Sequence, residues 1–170
     1  MSAVTNEDIA IAWWERAEES AGRHLGSRDL MFALHDMWCD DSFENDQEFA
    51  LALDLAWTTA EHPAHDLDVY HWCEMFNHLG FLRDGVQSVL PDSIPVLYRA
   101  AVNEDVWGLT SWTSDIEVAR SFQARIPNSA IWALSNVEPG HYTVRMFSNG
   151  RKEQEWVIDT GEMFEPELRL

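Results

Sequence analysis

Apolar residues recur at intervals of three and four through the first half of the chain, then in short clusters rich in β-branched and aromatic residues through the second. From Thr5 to Ser20 the pattern predicts a helix, with Thr5 as a candidate N-cap, acidic residues in the first turn and Ile9, Trp13 and Ala17 on one face. A second helix is expected from Ser27, turning Leu30, Leu34 and Met37 or Trp38 toward a core, until the polar stretch 40–46 interrupts it. A third runs to about Ala60 on Phe49, Leu53, Ala56, Trp57 and Ala60, with Pro63 marking its end. The fourth, about Asp66 to Leu79, carries Val69, Trp72, Phe76 and Leu79, and Gly80 suits the position after its last turn. The first half is therefore expected to be helical.

Beyond Pro91 and Pro95 the runs 96–102, 130–137, 141–147 and 153–159 are expected as strands. Asn149 and Gly150 predict a tight hairpin between the last two. A helix should begin at Ser114, with Glu117 completing a capping box, and continue through Val118, Ala119 and Phe122 to Arg125. The expected class is α+β: a helical region over 1–92 and a small, mainly antiparallel sheet with one capped helix over 93–170, as two domains or as one compact domain.

Composition narrows the function. The chain has 170 residues, 46% of them hydrophobic, enough for a buried core. Its net charge of −19 is concentrated up to residue 95, where four basic residues face nineteen acidic ones. That surface repels nucleic-acid backbones and anionic lipid; it is read first as a solvated helical face that keeps the protein soluble, with a basic protein partner for the helical region as the alternative. With no long apolar run and an acidic beginning, a cytosolic protein is expected. Cys39 and Cys73 are expected as buried free thiols. His62, His65 and His71 are interrupted by Pro63 and joined by no cysteine, so no metal is expected. Neither glycine-rich phosphate motif is present, which argues against Rossmann and P-loop chemistry. Packing is the expected role of Trp13, Trp38, Trp57 and Trp72.

Three features of the second half carry candidate chemistry: Arg99 after Tyr98 in the first strand, the hydroxyl-rich turn Thr110, Ser111, Trp112, Thr113 and Ser114, and Glu153-Gln154-Glu155 on the last strand. Alternation along a strand puts Glu153 and Glu155 on one face, about 7 Å apart at Cα.

In that chain order these residues resemble the mono-ADP-ribosyltransferases whose site is an arginine, a Ser-Thr-Ser-like segment and a Glu-X-Glu pair. The resemblance covers residues 96–159, including Gly108 to Thr113 and the Ala-x-x-Phe of Ala119 to Phe122. It implies an enzyme that consumes NAD⁺ as co-substrate, without a metal, and transfers ADP-ribose to a protein as a toxin-like effector. By the same resemblance, Arg99 anchors the phosphates or adjacent ribose, and Ser111 orients Glu155. Glu155 holds the ribose 2′-hydroxyl beside the developing positive charge, and Glu153 faces the acceptor, pointing to arginine modification. Tyr98, Thr113 and Phe122 join the candidate NAD⁺ contacts. Trp112 and Thr113 depart from the family segment, and Trp112 has two roles open to it, stacking on nicotinamide or packing in the core. Two other functions compete: hydrolysis of NAD⁺ by water, and a non-catalytic acidic inhibitor or binding module on the same scaffold.

Overall fold

A computed structural model of the chain describes residues 4–140, 143–161 and 166–169. It is a mixed α and β protein, and the chain divides into two compact units, Met1–Gln87 and Ser88–Leu170. No helix among the described residues is long and apolar enough to cross a membrane.

The first unit is built on α1 (Asn6–Ala21), α2 (Ser27–Cys39), α3 (Asp46–Thr59), the single turn α4 (Pro63–Asp66) and α5 (Val69–Leu79). Thr5 caps α1 as expected, in a reciprocal capping box with Asp8. Trp13, Leu30, Leu34, Leu53, Trp57, Trp72 and Phe76 form the core. Trp57 and Trp72 meet edge to face with ring centroids 4.9 Å apart, and the Trp72 indole N–H donates to the Pro63 carbonyl at 2.9 Å.

The expected fourth helix is divided. Asp68 accepts from the Tyr70 N–H and starts α5 afresh, leaving Val69 exposed, while Pro63, set at the first position of α4, opens a turn where it was expected only to close α3. Nor is the first half wholly helical. Leu82–Arg83 (β1) and Val86–Gln87 (β2) pair antiparallel across Asp84 and Gly85, both at positive φ, in the dipeptide that favours such hairpins. Cys39 is exposed and not buried, and its sulfur lies 3.6 Å from His35 Nε2, a partner one helical turn away.

The second unit contains β3 (Leu97–Ala101), β4 (Leu109–Thr113), α6 (Ile116–Gln123), β5 (Ala130–Leu134), β6 (Val144–Ser148), β7 (Glu155–Asp159) and β8 (Glu167–Arg169). These strands lie in the order β6-β7-β4-β3-β5-β8, each pair antiparallel. α6 packs over β3, β5 and β4, with Ala119 buried. The hydroxyl-rich segment expected as a turn is strand β4, because it is paired along its length with β7. The helix after it is capped by Asp115, which accepts from the Glu117 N–H; Ser114 is engaged elsewhere, and α6 ends at Gln123 instead of Arg125. His141 and Tyr142, expected at the start of a strand, lie outside the described residues. The connection between β6 and β7 is longer than a two-residue turn, and its positive φ angles fall on Lys152 and Gln154, not on Asn149 or Gly150.

Candidate functional site

The strand order puts β3, β4 and β7 side by side, and with them Arg99, Ser111 and Glu155. Tyr98 pairs with Thr113, and Thr113 with Glu155, so these three form a row across the sheet. Ser111 shares the face of Thr113, two residues along the same strand, and lies opposite Val157.

Arg99 follows Tyr98 by one residue, so alternation starts its side chain on the other side of β3, the side of its partner Trp132. The guanidinium nevertheless turns toward β4. Its NH1 donates to the Ser111 main-chain carbonyl at 2.7 Å, and its Nε donates to the Asp105 carbonyl at 2.9 Å. Among the described residues β3 and β4 pair at Tyr98 and Thr113, whereas β3–β5 and β4–β7 each pair over five residues. Burial pulls the Arg99 pKa below the ordinary arginine value, and the charges of Asp105 and Glu155 act against that shift. Glu155 therefore lies within electrostatic reach of the arginine.

The Glu-X-Glu segment is not a regular strand. Gln154 sits at φ 46°, in the left-handed region, so the alternation that would align Glu153 with Glu155 is broken one residue before β7 begins. Two hydroxyls hold this bend. Thr113, buried, donates to the Glu153 carbonyl at 2.6 Å, and Ser114 Oγ donates to Gln154 Oε1 at 2.9 Å, with the Ser114 N–H on the Gln154 carbonyl at 3.3 Å. The Asn149 side chain accepts from the Gln154 N–H at 3.3 Å. Glu153 faces Arg151, 3.7 Å away, and is partly exposed.

Trp112 packs in the core, and its indole N–H donates to Thr110 Oγ1 at 2.9 Å. Phe122 is half-buried on α6 beneath the Arg125 guanidinium, 4.4 Å from the ring centroid. Tyr98 is half-buried. Thus Tyr98, Thr113 and Glu155 share one row with Ser111 on the same face, Arg99 reaches the Ser111 main chain from the neighbouring strand, Glu153 lies across the bend, Trp112 belongs to the interior, and Phe122 stands on the helix. Among the described residues no group of three or more His, Cys, Asp or Glu side chains is placed to hold a metal.

Two participants escaped sequence reasoning. Ser114 was expected to cap a helix and instead secures Gln154. Asp105 contributes its main-chain carbonyl, which no side-chain pattern signals. Compared with protein-family models, with curated proteins and with solved structures, the chain matches none.

Proposed function

We propose that the unit 88–170 has an ADP-ribosyltransferase-like fold, binds NAD⁺ and transfers ADP-ribose to a protein side chain. The observation that carries this reading is the convergence of Arg99, Ser111 and Glu155 from three adjacent strands, with the arginine on the Ser111 carbonyl and within the field of Glu155.

Arg99 is the cation for the diphosphate, its guanidinium pre-set by the two carbonyls it binds. Glu155 receives the 2′-hydroxyl of the nicotinamide ribose as a hydrogen bond. As the bond from C1′ to the nicotinamide nitrogen breaks, its electron pair neutralises the pyridinium, and positive charge grows on the ribose beside the Glu155 carboxylate. An acceptor nitrogen then attacks C1′ and loses its proton to Glu153, two residues before Glu155 and separated from β7 by the bend at Gln154. With arginine as acceptor the products are ADP-ribosylarginine and nicotinamide.

The test incubates the full chain with labelled NAD⁺ and a cell lysate and follows nicotinamide release in parallel, for wild type and Glu155→Gln. Label on a lysate protein with wild type alone, and at least about a 100-fold slower release with the variant, are expected. Release without transfer makes the enzyme an NAD⁺ glycohydrolase; no release by wild type leaves an acidic binding module. A mass spectrum placing ADP-ribose only on residues other than arginine removes the arginine assignment.

A further inference from the structure

Trp107 is 47% exposed, an unusual position for an indole, and the chain on both sides of it is tied down. Val106 before it is buried, and Gly108 after it takes φ 79°. Thr160, fully buried, donates its hydroxyl to the carbonyls of Val106 at 3.4 Å and Gly108 at 3.2 Å, and its N–H to the Gly108 carbonyl at 3.0 Å. Two residues earlier, the Asp105 carbonyl accepts from Arg99 Nε. The loop between β3 and β4 is thus stapled to β7's end on one side and to Arg99 on the other, and it presents one large aromatic ring.

The end of the sheet at which this loop lies matters. β3 and β4 run antiparallel, so the row Tyr98, Thr113 and Glu155 is at one end of the pair and the loop 102–108 is at the other. From Thr113 back to Leu109 is four residues, roughly 13 Å of strand. Between these ends stands Arg99, with one donor on Ser111 and another on Asp105. Read from Thr113 toward the loop, the residues come in the order Glu155, Arg99, Trp107. A dinucleotide has the same order: the reacting ribose, the diphosphate, then a second nucleoside with a flat purine. An indole on a main chain fixed at both sides has only its side-chain torsions to lose when a base stacks on it, and every base presents a π-face.

Resting on the transferase reading above, we infer that Trp107 is the stacking platform for the adenine of NAD⁺, which makes it a binding residue distinct from those that carry the chemistry. A neutral purine suits this loop better than a second anion, because Asp105 is exposed beside it.

The test uses the full chain as wild type, Trp107→Phe and Trp107→Ala, with AMP and NAD⁺ binding measured by calorimetry and nicotinamide release by steady-state kinetics. Trp107→Ala should weaken AMP and NAD⁺ binding about ten-fold and raise KM for NAD⁺ to match, with kcat and inhibition by free nicotinamide held within about two-fold; Trp107→Phe should stay near wild type. Unchanged binding in Trp107→Ala, or an equal loss for nicotinamide and AMP, overturns the assignment. So does loss of label transfer to a protein with NAD⁺ binding intact, which would make Trp107 an anchor for the acceptor. Wild type that binds AMP and NAD⁺ through Trp107 but releases no nicotinamide would refute the transferase and leave the platform standing.

Discussion

Thr113 Oγ1 donates to the main-chain carbonyl of Glu153 at 2.6 Å and accepts from the Asp115 N–H at 3.0 Å, so one buried hydroxyl fastens the end of β4, the start of α6 and the bend before Glu155. In Thr113→Val, an isosteric change, both main-chain groups lose their partner. Urea denaturation should report a loss of about 1–3 kcal/mol. Under the transferase reading, kcat for nicotinamide release should fall more than KM rises, since Glu155 loses its placement while Arg99 keeps its own. Thr113→Ser restores the hydroxyl and should recover most of both.

Gly85 occupies φ 72°, and a Cβ there would meet Leu51 Cδ2 at 2.8 Å and the Leu51 Cα at 3.3 Å. Gly85→Ala therefore combines backbone strain with a clash against a helix, and should cost more than about 1 kcal/mol. Thermal unfolding monitored by circular dichroism checks this, with Gly150→Ala, where a Cβ meets nothing nearer than Ser148 Oγ at 3.9 Å, as the control.

Glu48 is buried, with Arg16 NH1 on Oε1 at 2.6 Å and the Glu44 N–H on Oε2 at 2.9 Å. Burial alone would raise its pKa; the bonds from Arg16 and Glu44 outweigh it and hold the carboxyl below its ordinary value of 4.5. A depressed carboxylate contributes stability above its unfolded pKa and loses it as pH falls through the lower folded one. Arg16→Met should destabilise by about 2–3 kcal/mol at pH 7, discounted from a fully buried pair because the arginine is partly exposed. The difference from wild type should shrink below pH 4.5, as chemical denaturation across pH will show.

His35 Nε2 stands 3.0 Å from His71 Nδ1, with the rings 4.1 Å apart. Burial first, and then the charge of His71, lower the His35 pKa, while Asp36 and Glu74 oppose them. Here the unfolded chain takes up its proton first. Stability should therefore drop as pH falls below the ordinary histidine value of 6.5 and level off once His35 protonates in the folded state. The urea midpoint of His35→Gln should follow pH less steeply than that of wild type between pH 7 and 5.

The helices were legible where apolar spacing and local caps agreed, as at Thr5 or at Phe49, Leu53 and Trp57. Their failures have local causes. Asp68 outweighed the apolar pattern around it, and the Asp84-Gly85 hairpin signal was present but sat in strands of two residues, too short for periodicity. For the site, chain order suggested that Arg99, Ser111 and Glu155 belong together, and the strand order sets them on neighbours. What the sequence concealed is the bend: nothing in Glu-Gln-Glu announces a left-handed glutamine, because that conformation is imposed by Thr113 and Ser114 from forty residues away.

Among the described residues one rung, Tyr98 with Thr113, joins β3 to β4 and marks a seam between two plates of the second unit, β6-β7-β4 and β3-β5-β8. Ser111 and Glu155 ride on one plate, Arg99 on the other. Amide protons along that seam should exchange with deuterium well before those of the fully laddered β4–β7 and β3–β5 pairs, because opening the seam breaks few hydrogen bonds. Arg99 is the cross-brace over the seam, reaching from its own plate to the Ser111 carbonyl. A ligand that grips the arginine and the glutamate together would brace it a second time, and the slowing of exchange along this one line would register its arrival.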